Sequence, residues 1–134
     1  MVEIHHKIAG IIIKDKKLLM ARKYDEHHFI MPGGRILEGE TPEQTLKREL
    51  KEELSVELVS MKFFKSWEAP HFKEKNKIVR MDTYFVEIKG EPKATSEINE
   101  IKWIDSHYQE RGIKVASINQ DFLIPELKKK GLID

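Results

Sequence analysis

Residues 33–56 constrain this chain more than any other part, because they combine a glycine turn with a carboxylate-rich helix. The segment reads GGRILEGETPEQTLKRELKEELSV. Thr41 suits the N-cap, Pro42 suits the first helical position, and Gln44 completes a capping box. The pattern predicts a helix from Pro42 to Leu54. Its buried stripe would be formed by leucines at every fourth position: Leu46, Leu50 and Leu54.

Three carboxylates lie beside this stripe, on Glu49, Glu52 and Glu53. Their i,i+3 and i,i+4 spacings let all three share one side of the helix, where like charges repel. A divalent cation would reverse that repulsion, since clustered carboxylates are oxygen ligands that Mg²⁺ and Mn²⁺ prefer. The residues alone leave two interpretations open, a metal site and a solvated acidic face.

The spacing around the carboxylates narrows the choice. Five residues separate Gly34 from Glu40, and seven more precede Arg48 and Glu49. With the Glu-Glu pair, this resembles the signature of the Nudix hydrolases in every fixed position but the last glycine. Ser55 stands there, and it would cost about 1 kcal/mol if it takes the left-handed cap that glycine usually supplies.

The rest of the chain predicts an α+β fold of one domain, and the resemblance implies an α/β/α sandwich around a mixed sheet. A hairpin is expected from residues 8–13 and 18–22 around a turn at 14–17. Further strands are predicted at 29–32, 56–67, 78–88 and 101–105, with a polar loop at 68–76. A final helix is predicted at 120–130, with Pro125 tolerated in its first turn.

Composition excludes several classes of function. The 134 residues carry 24 Lys and Arg against 23 Asp and Glu, so bulk charge indicates no nucleic-acid or membrane surface. The absence of cysteine excludes disulfides, thiolate nucleophiles and cysteine-based zinc sites. No signal peptide or membrane span is predicted, so a cytoplasmic protein is the simplest interpretation. A homodimer stays open.

The resemblance implies roles for the signature residues. Glu49, Glu52 and Glu53 would hold Mg²⁺, with Mn²⁺ as a substitute. A main-chain carbonyl from the Gly33–Gly34 pair would help them, with Gly34 the expected ligand.

Two further signature residues, Arg48 and Glu40, would form a salt bridge that ties the loop to the helix and orients the carboxylates.

The general base has several candidates. Glu52 or Glu53 could serve, as could a glutamate ahead of the last strand. Glu97 and Glu100 lie there, and the resemblance favours Glu100. A charged turn is the alternative for both.

Substrate contacts are also expected outside the helix. Arg22 lies at a strand end, where it could be simply solvated, and the resemblance favours contact with phosphate. Gly33 would allow close approach of the substrate to the main chain. Asn119 matches the place where purine-nucleotide-sanitising Nudix enzymes contact the base, although it could instead be a helix cap. His5 and His6 are expected at the surface.

The predicted reaction is hydrolysis of a diphosphate linkage in a small nucleotide substrate, releasing a nucleoside monophosphate. A (deoxy)nucleoside triphosphate pyrophosphatase of the MutT type is favoured. Cleavage of ADP-ribose or another nucleotide-linked diphosphate is the alternative, indicated by Pro70. A sensor that binds a nucleotide without cutting it, and an enzyme acting on RNA ends, are less favoured.

Overall fold

The protein is described from a computed structural model that covers residues 2–71 and 73–134. In these residues the strands are β1 (Glu3–Ile11), β2 (Ile13–Lys14), β3 (Lys17–Lys23), β4 (Gly33–Arg35), β5 (Glu57–Pro70), β6 (Lys77–Lys89) and β7 (Ile98–Ile104). The helices are α1 (Pro42–Leu54) and α2 (Ile124–Lys129), with a 3-10 helix at Tyr108–Arg111 and a π-helical turn at Asn119–Leu123.

The strands form two sheets. One has the order β4-β1-β6-β5, and the other has the order β2-β3-β7. The pairing of β1 with β6 is parallel, and the remaining pairings between these strands are antiparallel. The predicted α+β class is confirmed, although the strands divide between two sheets.

Helices cover the sheets on both sides. Ile8 and Leu19 pack with the leucines of α1 in one buried cluster. Their neighbours Ala9 and Met20 pack in a second cluster that includes Leu127 of α2. Burial on both faces explains why these strands read as continuous apolar runs. In the described part of the chain, no helix is long and apolar enough to cross a membrane.

Helix α1 forms as its sequence predicts. The Thr41 side chain accepts from the Gln44 N–H, and the Gln44 side chain accepts from the Thr41 N–H, which completes the capping box. The three leucines of the stripe are fully buried. Ser55 ends the helix in the left-handed conformation, with φ 58° and ψ 37°. The strained cap is therefore kept without glycine.

Several predicted strand boundaries are wrong, and β1 and β7 begin earlier than predicted, at Glu3 and Ile98. Residues 29–32 contain only isolated bridges at Phe29 and Ile30, and the strand here is β4 at the glycines. The predicted loop at 68–76 begins later, because β5 continues to Pro70 opposite Ile78. Pro70 is tolerated because β5 is an edge strand, where a missing N–H donor leaves a central ladder intact.

The C-terminal helix starts earlier than predicted and is irregular. Its π-helical turn closes when the Ile124 N–H donates to the Asn119 carbonyl, five residues back. Pro125 follows near the start of α2. Since proline has no N–H for the carbonyl four residues before it, a widened turn lets the helical path continue past it.

Candidate active site

Two glycines bring the main chain against the carboxylates of α1. The Gly33 N–H donates to Glu53 Oε1 at 2.9 Å. Gly33 has φ +133°, and a Cβ there would lie 2.0 Å from the Ile8 carbonyl oxygen. A Cβ on Gly34 would lie 2.5 Å from Cδ of Glu49. Both positions therefore require glycine, one for conformation and one for space.

The two inner carboxylates are poorly stabilised as anions. Burial raises the pKa of Glu53, whose exposed fraction is 2%, against the opposing effects of the Lys7 ammonium and the Gly33 N–H. Burial also raises the pKa of Glu49, against the hydrogen bond and charge of Arg48, and nearby Glu52 and Glu97 add to that shift. These groups favour a proton or a cation beside them.

The Lys7 ammonium acts electrostatically on this pair. Its Nζ donates to the Met31 carbonyl at 2.7 Å. Burial lowers the pKa of Lys7, while Glu53 and Glu49 act to raise it. For Lys7 and for both carboxylates, the effect of burial on the pKa exceeds the opposing effect of the neighbouring charges. Such perturbed pKa values are typical of a functional site.

Arg48 and Glu40 form a bidentate pair. Arg48 Nε and Nη2 each donate to a Glu40 oxygen at 2.9 Å, and Nη1 donates to Glu49 Oε1 at 2.6 Å. Glu40 also accepts from the Leu37 N–H and the Thr45 hydroxyl. The hydrogen bond from Arg48 lowers the pKa of Glu40 to about 2. Arg48 thus links the loop to the helix and holds the Glu49 carboxylate.

Glu52 is placed differently from the other two carboxylates of its cluster. Its side chain is 56% exposed, and its Oε2 lies 3.9 Å from Arg48 Nη1. In residues 2–71 and 73–134, no three acidic or histidine side chains converge closely enough to hold an ion together. The expected convergence of all three glutamates is therefore not met in this arrangement of side chains.

A cleft of about 420 Å³ opens beside these carboxylates. Its apolar wall includes Ile30, Val79, Met81 and Ile118. Its charged rim includes cations and carboxylates from several strands and loops: Lys7, Lys23, Arg35, Glu49, Lys73 and Glu97. A space of this size and mixed lining suits a small anionic ligand with an apolar part.

Arg22 and Glu100 lie outside this cleft and bind each other instead. Arg22 Nη2 donates to Glu100 Oε1 at 3.2 Å, and Arg22 Nη1 donates to the Glu26 carbonyl at 3.0 Å. The expected contacts of Arg22 with phosphate and of Glu100 with the reacting groups do not fit this placement.

Their neighbours Lys23 and Glu97 line the cleft, with Lys23 Nζ 3.5 Å from Glu97 Oε1. Consecutive side chains on a strand point to opposite faces, so Arg22 and Lys23 do not share the cleft face. A register shift also interrupts the pairing of β3 with β7, where Arg22 lies opposite Glu100 and Lys23 opposite Ile98. The charged pairs Arg22-Lys23 and Glu97-Glu100 are visible in the sequence, but the shift is not.

Asn119 lies in the cleft wall rather than at a helix end. Its exposed fraction is 1%, and its Oδ1 has no hydrogen-bond partner. It belongs to the π-helical turn, and neither that turn nor α2 has a side-chain cap at its start. The helix-cap alternative is therefore wrong.

The two N-terminal histidines point to opposite sides of β1. His6 Nε2 lies 2.6 Å from Asp82 Oδ2, whereas His5 lines the cleft, where burial lowers its pKa. The expectation that both lie at the surface is thus corrected for His5. The alternation of side chains along the strand is the one that the sequence predicts.

Comparison with known proteins decides the family. The model of the NUDIX domain matches residues 4–110 of the chain. The chain belongs to the NUDIX family. This Nudix chain is 37% identical over 82 residues to an 8-oxo-dGTP diphosphatase of Haemophilus influenzae, covering 60% of the chain and 57% of that relative. It is 30% identical over 136 residues to an RNA pyrophosphohydrolase of Yersinia pestis, covering 84% of the chain and 75% of that relative.

Solved structures show the same Nudix fold. A structure from work on MutT of Aliivibrio salmonicida and Vibrio cholerae matches with a TM-score of 0.72 at 21% identity, over 96% of the chain and 99% of that structure. A NUDIX hydrolase from Nitrosomonas europaea matches with a TM-score of 0.71 at 14% identity, over 95% and 87%. The chain spans little more than half the length of the Haemophilus relative and three quarters of the Yersinia relative.

Proposed function

We propose that the protein is a metal-dependent hydrolase of nucleoside triphosphates, of the MutT type, which releases a nucleoside monophosphate and pyrophosphate. The base would lie against the Asn119 side of the cleft. The phosphates would lie toward the carboxylates of α1. Water supplies the oxygen added to the monophosphate, and pyrophosphate leaves.

The unpartnered Oδ1 of Asn119 carries this proposal. A buried acceptor without a donor costs about 1–3 kcal/mol. An N–H on the edge of a nucleobase would supply that donor, and the apolar wall beside Asn119 would hold the ring. The name of the Haemophilus relative, an 8-oxo-dGTP diphosphatase, agrees with a purine triphosphate.

The donor set suits a hard divalent cation. Glu49 and Glu53 carry carboxylates whose raised pKa values reflect uncompensated burial, and the main chain at Gly33 and Gly34 passes against them. With reorientation of the exposed Glu52, these groups would hold Mg²⁺ or Mn²⁺. Such an ion would shield the phosphates and activate the attacking water.

The chain's own cations complete the phosphate environment. Lys23 and Lys7 line the cleft, and their ammonium groups can donate to phosphate oxygens. Arg48 keeps Glu49 in place through its 2.6 Å contact. For the general base we propose Glu53 or Glu52, with Glu97 replacing Glu100 as the candidate from the loop before β7, because Glu97 lines the cleft.

The cleft offers less support for an ADP-ribose substrate. Pro70, which motivated that alternative, pairs with Ile78 at the end of β5 and is not a lining residue of the cleft. The sensor alternative also has little support, since each signature carboxylate is present.

The test is phosphate release, coupled to a pyrophosphatase, across a panel of nucleotides with Mg²⁺. The panel contains the dNTPs, oxidised dGTP, ADP-ribose, dinucleoside polyphosphates and NADH, with a phosphatase added for the diphosphate esters. Asn119→Ala should raise KM for the best purine triphosphate about 10-fold, since a lost hydrogen bond to a ligand is worth about 1–2 kcal/mol.

Asn99→Ala, at an exposed position of β7, is the matched control and should leave KM unchanged. Turnover of ADP-ribose alone, or an Asn119→Ala variant with unchanged KM for every triphosphate, would contradict the proposal.

A further inference from the structure

A second concave surface lies beside the cleft. This basic groove has a volume of about 250 Å³ and is lined by Arg22, Lys102, Arg111, Lys114 and His27, with Phe29 at its side. Glu26 lines both the groove and the cleft. The groove and the cleft are therefore adjacent, although their charges differ.

Cations outnumber the carboxylates that reach the groove. Glu100 is shared between Arg22 at 3.2 Å and Lys102 at 3.5 Å. The carboxylate of Glu26 contacts Lys73 at 2.7 Å, outside the groove.

The other two cations of the groove, Arg111 and Lys114, are also incompletely neutralised. Asp105 is shared between Arg111 at 3.4 Å and Lys17 at 2.9 Å. The side-chain ammonium of Lys114 has no hydrogen-bond or ion-pair partner within residues 2–71 and 73–134. The groove thus keeps an excess of positive charge that an anion would offset.

The frame of the groove is fixed by main-chain hydrogen bonds. The Phe29 N–H donates to the Lys114 carbonyl at 2.8 Å, and the Gly112 N–H donates to the Gln109 carbonyl at 3.0 Å. Arg22 is held by Glu100 and by the Glu26 carbonyl, and its guanidinium lies 5.9 Å from the centre of the Phe29 ring. Cations held in this way lose little freedom when they bind an anion.

We propose that the basic groove is a second phosphate-binding site, separate from the cleft. The planar guanidinium groups of Arg22 and Arg111 suit phosphate oxygens, and the lysines add point charges. The segment that starts at Gly112 lines the groove and continues to Asn119 in the cleft. A chain of phosphates could follow the same path.

Two sources can supply this phosphate. One is a phosphodiester of an oligonucleotide whose 5′ end occupies the cleft, and in that form the inference deepens the proposed function and rests on it. The other is free inorganic phosphate, for which the cleft chemistry is irrelevant. The experiment separates these sources.

The test combines amide NMR of the full chain with binding and kinetics. Inorganic phosphate is titrated without divalent metal, and the amides of Gly112, Ile113 and Lys114 report on the groove. The variant is Lys102→Met with Lys114→Met. The control is Lys62→Met with Lys128→Met, which removes the same charge from two exposed lysines outside both concave surfaces.

The groove variant should weaken phosphate binding about 10-fold, and the control should stay within about two-fold, with similar unfolding temperatures for both. A 5′-triphosphorylated oligonucleotide serves as the second probe. The site is assigned to a phosphodiester if the groove variant also binds this oligonucleotide about 10-fold more weakly. In that case the slope of log affinity against log salt concentration should be smaller by about 1, and the KM for nucleoside triphosphates should not change. An unchanged oligonucleotide affinity assigns it to free phosphate.

Absence of shifts at the groove amides would overturn the inference, as would an equal loss in the control variant. If the wild type hydrolyses no nucleotide, the proposed function fails. The amide titration still decides whether the groove binds phosphate.

Discussion

Carboxylates in two regions of this Nudix chain experience opposite environments. Asp105 accepts from Lys17 and from the His107 N–H and faces Arg111, and the pKa of Asp105 falls to about 2. On α1, beside the cleft, burial instead raises the pKa values of Glu49 and Glu53. The first region uses its charge to connect the hairpin turn to the 3-10 helix. The second keeps charge that its own donors do not balance, which is what an ion-binding site requires.

The largest effect is predicted for a substitution that removes the charge of a carboxylate on α1. Glu53→Gln should lower kcat about 1000-fold, because the position supplies a candidate ion ligand and base. The glutamine oxygen can still accept from the Gly33 N–H, so we expect no loss of unfolding temperature in EDTA. Steady-state kinetics with Mg²⁺ and thermal unfolding check this. A variant that retains a tenth of wild-type activity would contradict the role of Glu53.

A second change displaces a carboxylate without removing it. Gly34→Ala should lower kcat/KM about 100-fold, since the new Cβ would meet the Glu49 carboxyl group and move it. Gly39→Ala is the control, because its φ of +83° strains alanine but its Cβ would contact nothing within 4 Å. The control should lose about 1 kcal/mol of stability and keep its activity. Equal activities of the two variants would disprove this explanation.

A substitution at Asp105, in the other region, should change stability and leave activity unchanged. Asp105→Asn should lower the free energy of unfolding by about 1–3 kcal/mol, because it weakens several charged hydrogen bonds at a buried side chain. Urea unfolding measures this loss, and kcat/KM should remain at the wild-type value. A loss of activity without a loss of stability would show that Asp105 has a functional role rather than a structural one, against the prediction.

The pH dependence of that stability follows from the sign of the shift. The folded-state pKa of Asp105 lies below its unfolded value, so its contribution is complete above about pH 4. It is lost as pH falls through about 2. The difference in unfolding free energy between wild type and Asp105→Asn should therefore narrow from pH 4 to pH 2. A constant difference across that interval would show that the charge of Asp105 is not the cause.

The smallest effect concerns the helix that carries the cleft carboxylates. Ser55→Gly should stabilise the protein by about 1 kcal/mol, since φ of 58° is strained for serine and relaxed for glycine. Chemical unfolding checks the gain, and kinetic constants should not change. Destabilisation would mean that the Ser55 side chain stabilises the cap.

The features that the sequence predicts correctly are local. The capping box, the leucine stripe and the end of α1 depend on contacts within a few residues. The α+β class follows from the same kind of patterns. Strand β4 was missed because its glycines have low strand propensity and pair only through contact with β1.

The site residues that were misplaced depend on distant contacts. Which of Arg22 and Lys23 faces the cleft depends on how β3 is oriented in its sheet, and the register shift between β3 and β7 places Glu100 opposite Arg22 and Ile98 opposite Lys23. Asn119 was expected at the substrate and does lie in the cleft wall, but its burial and the π-helical turn that carries it are not visible in the sequence.

The most direct measurement is Mn²⁺ binding to the wild type and to Glu53→Gln by calorimetry in two buffers of different ionisation enthalpy. The account predicts that the wild type binds Mn²⁺ and releases protons, because carboxylates with raised pKa values must lose them when the ion binds. Glu53→Gln should bind at least about 10-fold more weakly, as expected when an ion loses one charged ligand. Equal affinity in the two proteins, or binding without proton release, would contradict the claim that the cleft carboxylates form the ion site.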